Sequence, residues 1–189
     1  MPPKCKFTPE EVVQAALDMT REGGIGCVTA RAVGARLNSS SKVIFSLFQN
    51  MEELQGAVIR AANDLYQSYL REDMSSGRYP VYKASGMAYI RFAREERELF
   101  KLLFMRDRTG EPVDQGAEEL KPLIELIQKN TGLSEQQAYL FHLEMWVYVH
   151  GIATMIATAY LEWDWDMIST MVTDAYEGMR SRYLSKEGS

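Results

Sequence analysis

The chain has 189 residues, enough for one or two small domains, and 46% of them are hydrophobic, enough for a packed core. Its two cysteines, Cys5 and Cys27, have no Cys or His nearby at a zinc-finger spacing, which argues against a disulfide framework or a zinc finger. Polar and acidic residues interrupt the apolar positions near the N-terminus, so we expect no secretory signal and a cytoplasmic location.

The formal net charge of −5 is unevenly distributed along the chain. Residues 1–50 carry six basic and four acidic side chains, a net charge of +2, which leaves −7 for the remainder. A mildly basic N-terminal part on an acidic body is expected when only that part meets phosphate groups.

The first predicted element begins at Thr8-Pro9-Glu10-Glu11. Thr8 can serve as the N-cap, proline is suited to the first helical position, and Glu11 can close a capping box. The sequence therefore predicts a helix from Pro9 onward.

Residues 29–54 predict two short helices joined by a tight polar turn, followed by the start of a third. Thr29 can cap the first helix, and Asn38 can end it in a left-handed conformation. Ser40 or Ser41 can then cap the second helix, which carries the apolar residues Ile44, Phe45, Leu47 and Phe48. A short helix, a turn and a second short helix form the arrangement that inserts a recognition helix into the DNA major groove.

The segment from Phe7 to about Leu54 resembles the DNA-binding domain of TetR-type transcriptional regulators. The features that match are an opening amphipathic helix, a Gly-Ile-X-X-Val-Thr motif (Gly24, Ile25, Val28, Thr29) and an aromatic-X-X-Phe-X-X-X-Glu-Glu-Leu motif (Phe45, Phe48, Glu52, Glu53, Leu54). The resemblance implies a three-helix DNA-binding domain over residues 1–54 and a helical effector-binding and dimerisation domain over residues 55–189.

The candidate DNA-contacting residues lie on and around the two short helices: Thr29, Arg31, Ser40, Ser41, Lys42, Val43, Phe45 and Ser46. Where the family usually carries Gly-Thr-Leu-Tyr, this chain has Lys42, Val43, Ile44 and Phe45, and two departures remove usual phosphate contacts. Phe45 lacks the phenolic hydroxyl that usually reaches a phosphate, and Met51 occupies a position where a phosphate-binding lysine is common. We therefore expect altered docking geometry or moderate DNA affinity.

The remainder of the chain predicts further helices and shows no alternating strand pattern, so the predicted fold is all-α. A long connecting helix is expected over about 52–72, two helices between Tyr82 and Met105, and another from Ala117 to Asn130. Ser134-Glu135-Gln136-Gln137 predicts a capping box for the next helix. The last helix is expected to begin at Asp164 or Asp166.

Residues 145–161 form a run of 17 residues without a formal charge. The run is shorter than the roughly 20 apolar residues that usually span a membrane, so we interpret it as a core helix buried on more than one side. Together with the last helix it suits a four-helix homodimer interface, which the TetR resemblance also implies.

Trp146, His150 and Gly151 resemble the Trp…His-Gly signature of one class of TetR C-terminal domains. We predict an effector pocket lined by Tyr89, Phe92, Phe100, Phe104, Trp146 and His150. Alternatively, these side chains simply pack and satisfy their polar atoms locally, as buried His and Trp commonly do.

The sequence is compatible with three functional interpretations. The favoured one is a homodimeric repressor that binds a palindromic DNA operator and responds to a small hydrophobic effector. The alternative is a helical protein-interaction module that kept the fold but lost DNA binding. An enzyme is not expected, because Cys27 is separated in sequence from both histidines and is interpreted as a small packing residue; we expect no metal and no cofactor.

Overall fold

The structure is a computed structural model that describes residues 7–107, 109 and 117–185, without the side chains of 117–119. Within these ranges the chain forms nine α-helices and no β-strand. The predicted all-α fold is confirmed. Cys5 and the C-terminal residues 186–189 lie outside the described residues.

The described residues divide into two compact units. The first comprises residues 7–68 and 95–106, and the second comprises 69–94 with the described residues from 107 to 185. The first unit contains α1 (Pro9–Gly23), α2 (Ala30–Arg36), α3 (Lys42–Leu47), most of α4 (Met51–Ser75) and α6 (Arg97–Phe104). A single turn of 3-10 helix over Ile25–Cys27 precedes α2.

Helix α1 begins at the predicted capping box. The amide of Glu11 donates to Thr8 Oγ1 at 3.2 Å, and the amide of Thr8 donates to Glu11 Oε2 at 2.8 Å. These two bonds satisfy amide groups that a helix N-terminus would otherwise leave unpaired. The helix buries its face of Val12, Ala16 and Leu17 in the core of the first unit.

Helix α6 packs against α1 within the first unit. The guanidinium of Arg21 donates to both carboxylate oxygens of Glu96, at 2.9 and 3.0 Å, just before α6 begins. A bidentate arginine–carboxylate pair fixes orientation as well as distance. It therefore holds the start of α6 in a defined orientation against α1.

The second unit contains the end of α4, α5 (Val81–Glu95), α7 (Ala117–Thr131), α8 (Glu135–Ala157) and α9 (Trp165–Ser185). The predicted capping box of α8 is present: the amide of Ser134 donates to Gln137 Oε1 at 2.9 Å. The last helix begins after Asp164, whose Oδ1 accepts from the amide of Asp166 at 2.9 Å. These helix starts agree with the sequence predictions because each depends on local side-chain capping.

Helix α8 has two contrasting faces. Phe141, Met145 and Val149 lie on a buried face, whereas Leu140 and Val147 are 49% and 63% exposed. The helix is long and apolar enough for a membrane span by length and composition alone, which is weak evidence for a single helix, and 44% of that stretch is buried. The expectation that α8 is buried on more than one side is therefore wrong for the single chain.

The first unit also includes residues 55–68 and α6, whereas the sequence predicts them as parts of the C-terminal domain. Phe104 of α6 packs edge-on against Tyr66 of α4 there, with ring centroids 5.2 Å apart. The domain boundary at residue 54 stays a prediction.

Candidate functional site

The turn between α2 and α3 depends on a close backbone approach at Gly34. A Cβ atom at this position would lie 2.9 Å from both the carbonyl carbon of Ser40 and the amide nitrogen of Ser41. Asn38, which ends α2, has a φ of 50°, the left-handed conformation that the sequence predicted. Gly34 and Asn38 together allow a tight turn, so α3 begins in contact with α2.

Helix α3 has an apolar inner face and an outer face that combines polar side chains with the ring of Phe45. Ile44 is fully buried, whereas Lys42, Phe45 and Ser46 are exposed. The hydroxyl of Ser46 donates to the carbonyl oxygen of Val43 at 2.7 Å. Six of the eight predicted DNA-contacting residues, from Ser40 to Ser46, therefore lie on one short turn-and-helix segment that can approach a groove.

Thr29 and Arg31 lie at the start of α2, and both are exposed. Thr29 caps the helix, since its Oγ1 accepts from the amide of Ala32 at 3.2 Å. Ser41 occupies the N-cap position of α3, but its side chain makes no capping hydrogen bond. The hydroxyl of Ser41 is therefore not used by its own helix.

The charges on α2 are partly neutralised by α1. At the end of α2, Arg36 Nη1 donates to Glu22 Oε2 at 3.0 Å, and this hydrogen bond lowers the pKa of Glu22. Arg31 and Lys42 have no ion-pair partner among the described residues. These two cations are therefore the ones that α2 and α3 can offer directly to phosphates.

Cys27 does not pack in the core as the sequence suggested. Its side chain is exposed, and the thiol lies 3.1 Å from the carbonyl oxygen of Gly23. The residue ends the 3-10 turn just before α2, where the tight turn keeps its side chain at the surface.

The second unit contains a cavity of about 270 Å³ between α5, α8 and α9. Its apolar lining comes from side chains of all three helices: Tyr82, Met145, Trp146, Val149, Val172 and Tyr176. Lys83, His142, Thr173 and Glu177 add polar groups. A largely apolar concave space with a few polar groups is the usual form of a small-molecule site.

Two Tyr–His pairs connect α5 to α8. The Tyr82 hydroxyl lies 3.1 Å from His142 Nδ1, and the Tyr89 hydroxyl lies 2.8 Å from His150 Nδ1. Burial lowers the pKa of both histidines, so both imidazoles are neutral at pH 7. Burial also raises the pKa of the Tyr82 phenol, which keeps its proton.

Three of the six predicted effector-contacting residues meet in this region. The rings of Trp146 and His150 stack with centroids 5.1 Å apart, and Tyr89 bonds the same imidazole. Trp146 is the one of the six that lines the described cavity. His150 contacts the cavity residue Trp146 by stacking, and Tyr89 contacts His150 by the hydrogen bond.

The remaining three predicted residues lie in other surroundings. Phe92 is fully buried and packs edge-on against Tyr69 in the second unit, with ring centroids 5.3 Å apart. Phe100 and Phe104 belong to the first unit, where their ring centroids are 5.1 Å apart. Their role in effector binding stays a prediction.

Sequence reasoning missed most residues of the cavity. Lys83 and Tyr82 on α5, and Tyr176 on α9, carry no motif of their own. The sequence places His142 four residues before Trp146 on the same helical face, but the predicted effector contacts do not include it. Among the described residues, no group of three or more His, Cys, Asp or Glu side chains could hold a metal ion.

Comparisons with known proteins place this arrangement in a family. A family model described as "Tetracyclin repressor-like, C-terminal domain" matches residues 82–176, half of the chain. The fold is similar to a crystal structure of a TetR-like transcriptional regulator from Rhodococcus sp. RHA1, with a TM-score of 0.64 and 17% sequence identity. That match covers 93% of this chain and 94% of the other. No curated protein matches in sequence. The chain belongs to the TetR family of transcriptional regulators.

Proposed function

We propose that this regulator is a cytoplasmic homodimer that represses transcription from a palindromic operator until a small hydrophobic effector binds its second unit. The observation that carries the proposal is the exposed face of α3, which follows a tight turn and presents Lys42 and Ser46 away from the core. The second helix of such a pair is the element that reads a major groove.

In the proposed complex, α3 enters the major groove and α2 follows the DNA backbone. Lys42 and Arg31 supply cations to phosphates, while Ser40, Ser41 and Ser46 are small enough for close approach to base edges. Thr29 and Val43 lie at the border of this surface, and Phe45 offers an apolar contact to a thymine methyl group.

The homodimer is proposed to form through the outer faces of α8 and α9. Leu140, Val147 and Met155 follow one another along α8 at spacings of seven and eight residues, and all three are exposed in the single chain. Met167 of α9 is 52% exposed. Large apolar side chains on one face favour burial against a second copy of the same surface.

The effector is proposed to act through continuous helices. Helix α4 contributes residues to both units, and α5, which lines the cavity, leads through Glu96 into α6 of the first unit. An effector that prefers one arrangement of these helices would change the spacing of the two α3 helices in the dimer. Two α3 helices about 34–36 Å apart in the dimer would match successive major grooves.

The test is selection of binding sites from a randomised duplex library, followed by affinity measurements on the enriched duplex at several salt concentrations. We expect a palindrome. Lys42→Ala should reduce the slope of log affinity against log salt concentration by about 2 for the dimer. Each subunit loses one phosphate contact, and each contact contributes about 0.9 to that slope. Arg60→Ala, which removes an exposed cation from α4 outside the turn, is the matched control.

An unchanged slope in the Lys42 variant would show that α3 docks in another way. Failure of every duplex to enrich at low salt would favour the second candidate, a protein-interaction module. The exposed ring of Phe45 supports that alternative, because its side chain is 54% exposed on the outer face of α3 and aromatic residues anchor protein interfaces. We propose no catalytic role.

A further inference from the structure

The cavity in the second unit contains a cation that neutral groups hold in place. Lys83 Nζ donates to Ser169 Oγ at 2.7 Å and to Thr173 Oγ1 at 2.8 Å, both on α9. No carboxylate pairs with Lys83 among the residues that the structure describes. Two hydroxyl groups fix the position of the ammonium group but do not neutralise its charge.

Further contacts hold the side chain of Lys83, which lines the cavity. The hydroxyl of Thr173 donates to the carbonyl oxygen of Ser169 at 3.0 Å, which leaves its lone pairs for the ammonium group. The ring of Tyr79 lies 4.8 Å from Nζ on another side. A half-buried charge without a counter-ion attracts an anion more strongly than the same charge in open water.

His142 adds an imidazole to the lining of the same cavity. The hydroxyl of Tyr82 and Nδ1 of His142 form a hydrogen bond of 3.1 Å, whose direction depends on the tautomer of the imidazole. In the tautomer in which the phenol donates, the neutral imidazole carries its proton on Nε2, which has no hydrogen-bond partner among the described residues. A ligand placed here needs an acceptor atom.

The remaining lining suits a flat apolar body. Trp146 and Tyr176 supply aromatic surfaces, and Met145, Val149 and Val172 supply aliphatic ones. The volume of about 270 Å³ lies just under the roughly 300 Å³ at which drug-sized pockets begin. One or two fused rings therefore fit better than a larger drug-like molecule.

Glu177 is the acidic residue that lines the cavity. Its Oε2 lies 3.5 Å from Nη1 of Arg180, one helical turn further along α9, so its charge has a local counter-ion. Lys83 therefore remains the charge in the lining that lacks an opposite partner in the described chain.

We propose that this cavity binds an aromatic carboxylate, with the carboxylate on Lys83, the ring against Trp146 and Tyr176, and His142 Nε2 as a further donor. The inference rests on the proposed function only in taking the cavity as the effector site; binding itself needs no operator.

The experiment uses isothermal titration calorimetry on the full chain with three probes of equal ring size. These are naphthoate, the neutral naphthamide and the cationic naphthylmethylamine. We expect naphthoate to bind at least about tenfold more tightly than naphthamide, and the amine to bind most weakly, because only the anion pairs with Lys83. An amide or amine that binds as tightly as naphthoate overturns the proposal, as does the absence of naphthoate binding to folded protein.

Variants of Lys83 separate recognition of the carboxylate charge from non-specific apolar binding. Lys83→Met keeps the apolar stem and should bind naphthoate and naphthamide equally, whereas Lys83→Arg should restore part of the preference. Lys121→Met, on the exposed side of α7, is the matched control and should behave as wild type. A preference for naphthoate that survives in a folded Lys83→Met variant contradicts the assignment.

Operator binding without any probe is measured separately, so the two proposals can fail independently. Palindrome selection together with indifference to naphthoate would overturn the ligand class alone. Tight, Lys83-dependent naphthoate binding without any DNA binding would support the ligand class and overturn the operator model.

Discussion

The carboxylate of Glu22, on α1, accepts two hydrogen bonds from the guanidinium of Arg36 at the end of α2. Both side chains are exposed. The pair joins α1 to α2 in the first unit. It also neutralises the charge of Arg36, which would otherwise be available to a phosphate. In the proposed DNA complex, the pairing of α1 with α2 and the affinity for DNA would therefore be linked through one arginine.

Replacing Glu22 with Gln should strengthen DNA binding. The change frees Arg36, and one additional phosphate contact in each head would steepen the salt slope of the dimer by about 2. Salt-dependent affinity for the selected operator is the measurement. Glu52→Gln is the control, since it removes the same charge from an exposed site on α4 without freeing an arginine. Equal gains in the two variants would mean that only net charge matters.

Replacing Gly34 with Ala should destabilise the first unit. The new Cβ would lie 2.9 Å from backbone atoms of Ser40 and Ser41, and backbone cannot move aside as a flexible side chain can. We expect a loss of about 1–3 kcal/mol in the free energy of unfolding, as for other overpacked positions, together with weaker operator binding. Urea unfolding followed by circular dichroism measures the first effect.

Gly56 provides the matched control for that substitution. It lies within α4 in the same unit, and the nearest atom to an added Cβ is the end of the Arg60 side chain at 3.5 Å. Alanine should be tolerated there and should stabilise the helix by about 0.5–1 kcal/mol. Equal destabilisation by both substitutions would argue against a special role for the turn.

Replacing Val147 with Asp should weaken the proposed homodimer. The side chain is 63% exposed in the single chain, so the substitution costs little in the monomer but places an unpaired charge in the interface. We expect the dimer dissociation constant to rise at least about tenfold, as measured by analytical ultracentrifugation. Val81→Asp, at a 42% exposed site at the start of α5, should leave it unchanged.

The buried His142 should make stability depend on pH. Burial lowers its pKa in the folded protein, so the folded state binds the proton more weakly than the unfolded chain. Its contribution to stability is therefore complete above the unfolded pKa of about 6.5 and is lost as the pH falls through the lowered folded pKa. His142→Gln should lose less stability than wild type over this range in urea unfolding.

His150 offers a graded comparison for the same experiment. Burial also lowers its pKa, but the residue is only half-buried. His150→Gln should therefore reduce the pH dependence less than His142→Gln does. The opposite order would show that the Tyr89–His150 pair, and not the cavity histidine, dominates acid destabilisation.

The amino-acid sequence by itself determined the helical elements. Thr8, Ser134 and Asn38 act through hydrogen bonds or backbone angles within a few residues, so local chemistry fixes where helices begin and end. The apolar spacing also predicted two helices between Tyr82 and Met105, and the structure has α5 and α6 there.

Only the tertiary structure decided which side chains form the cavity and which charges remain available. The Tyr82–His142 hydrogen bond joins residues 60 positions apart, and the Lys83–Thr173 bond joins residues 90 apart. No local pattern encodes such pairs, because they depend on how α5, α8 and α9 pack. The same reason explains why Glu22 neutralises Arg36, whereas Lys42 stays accessible on α3.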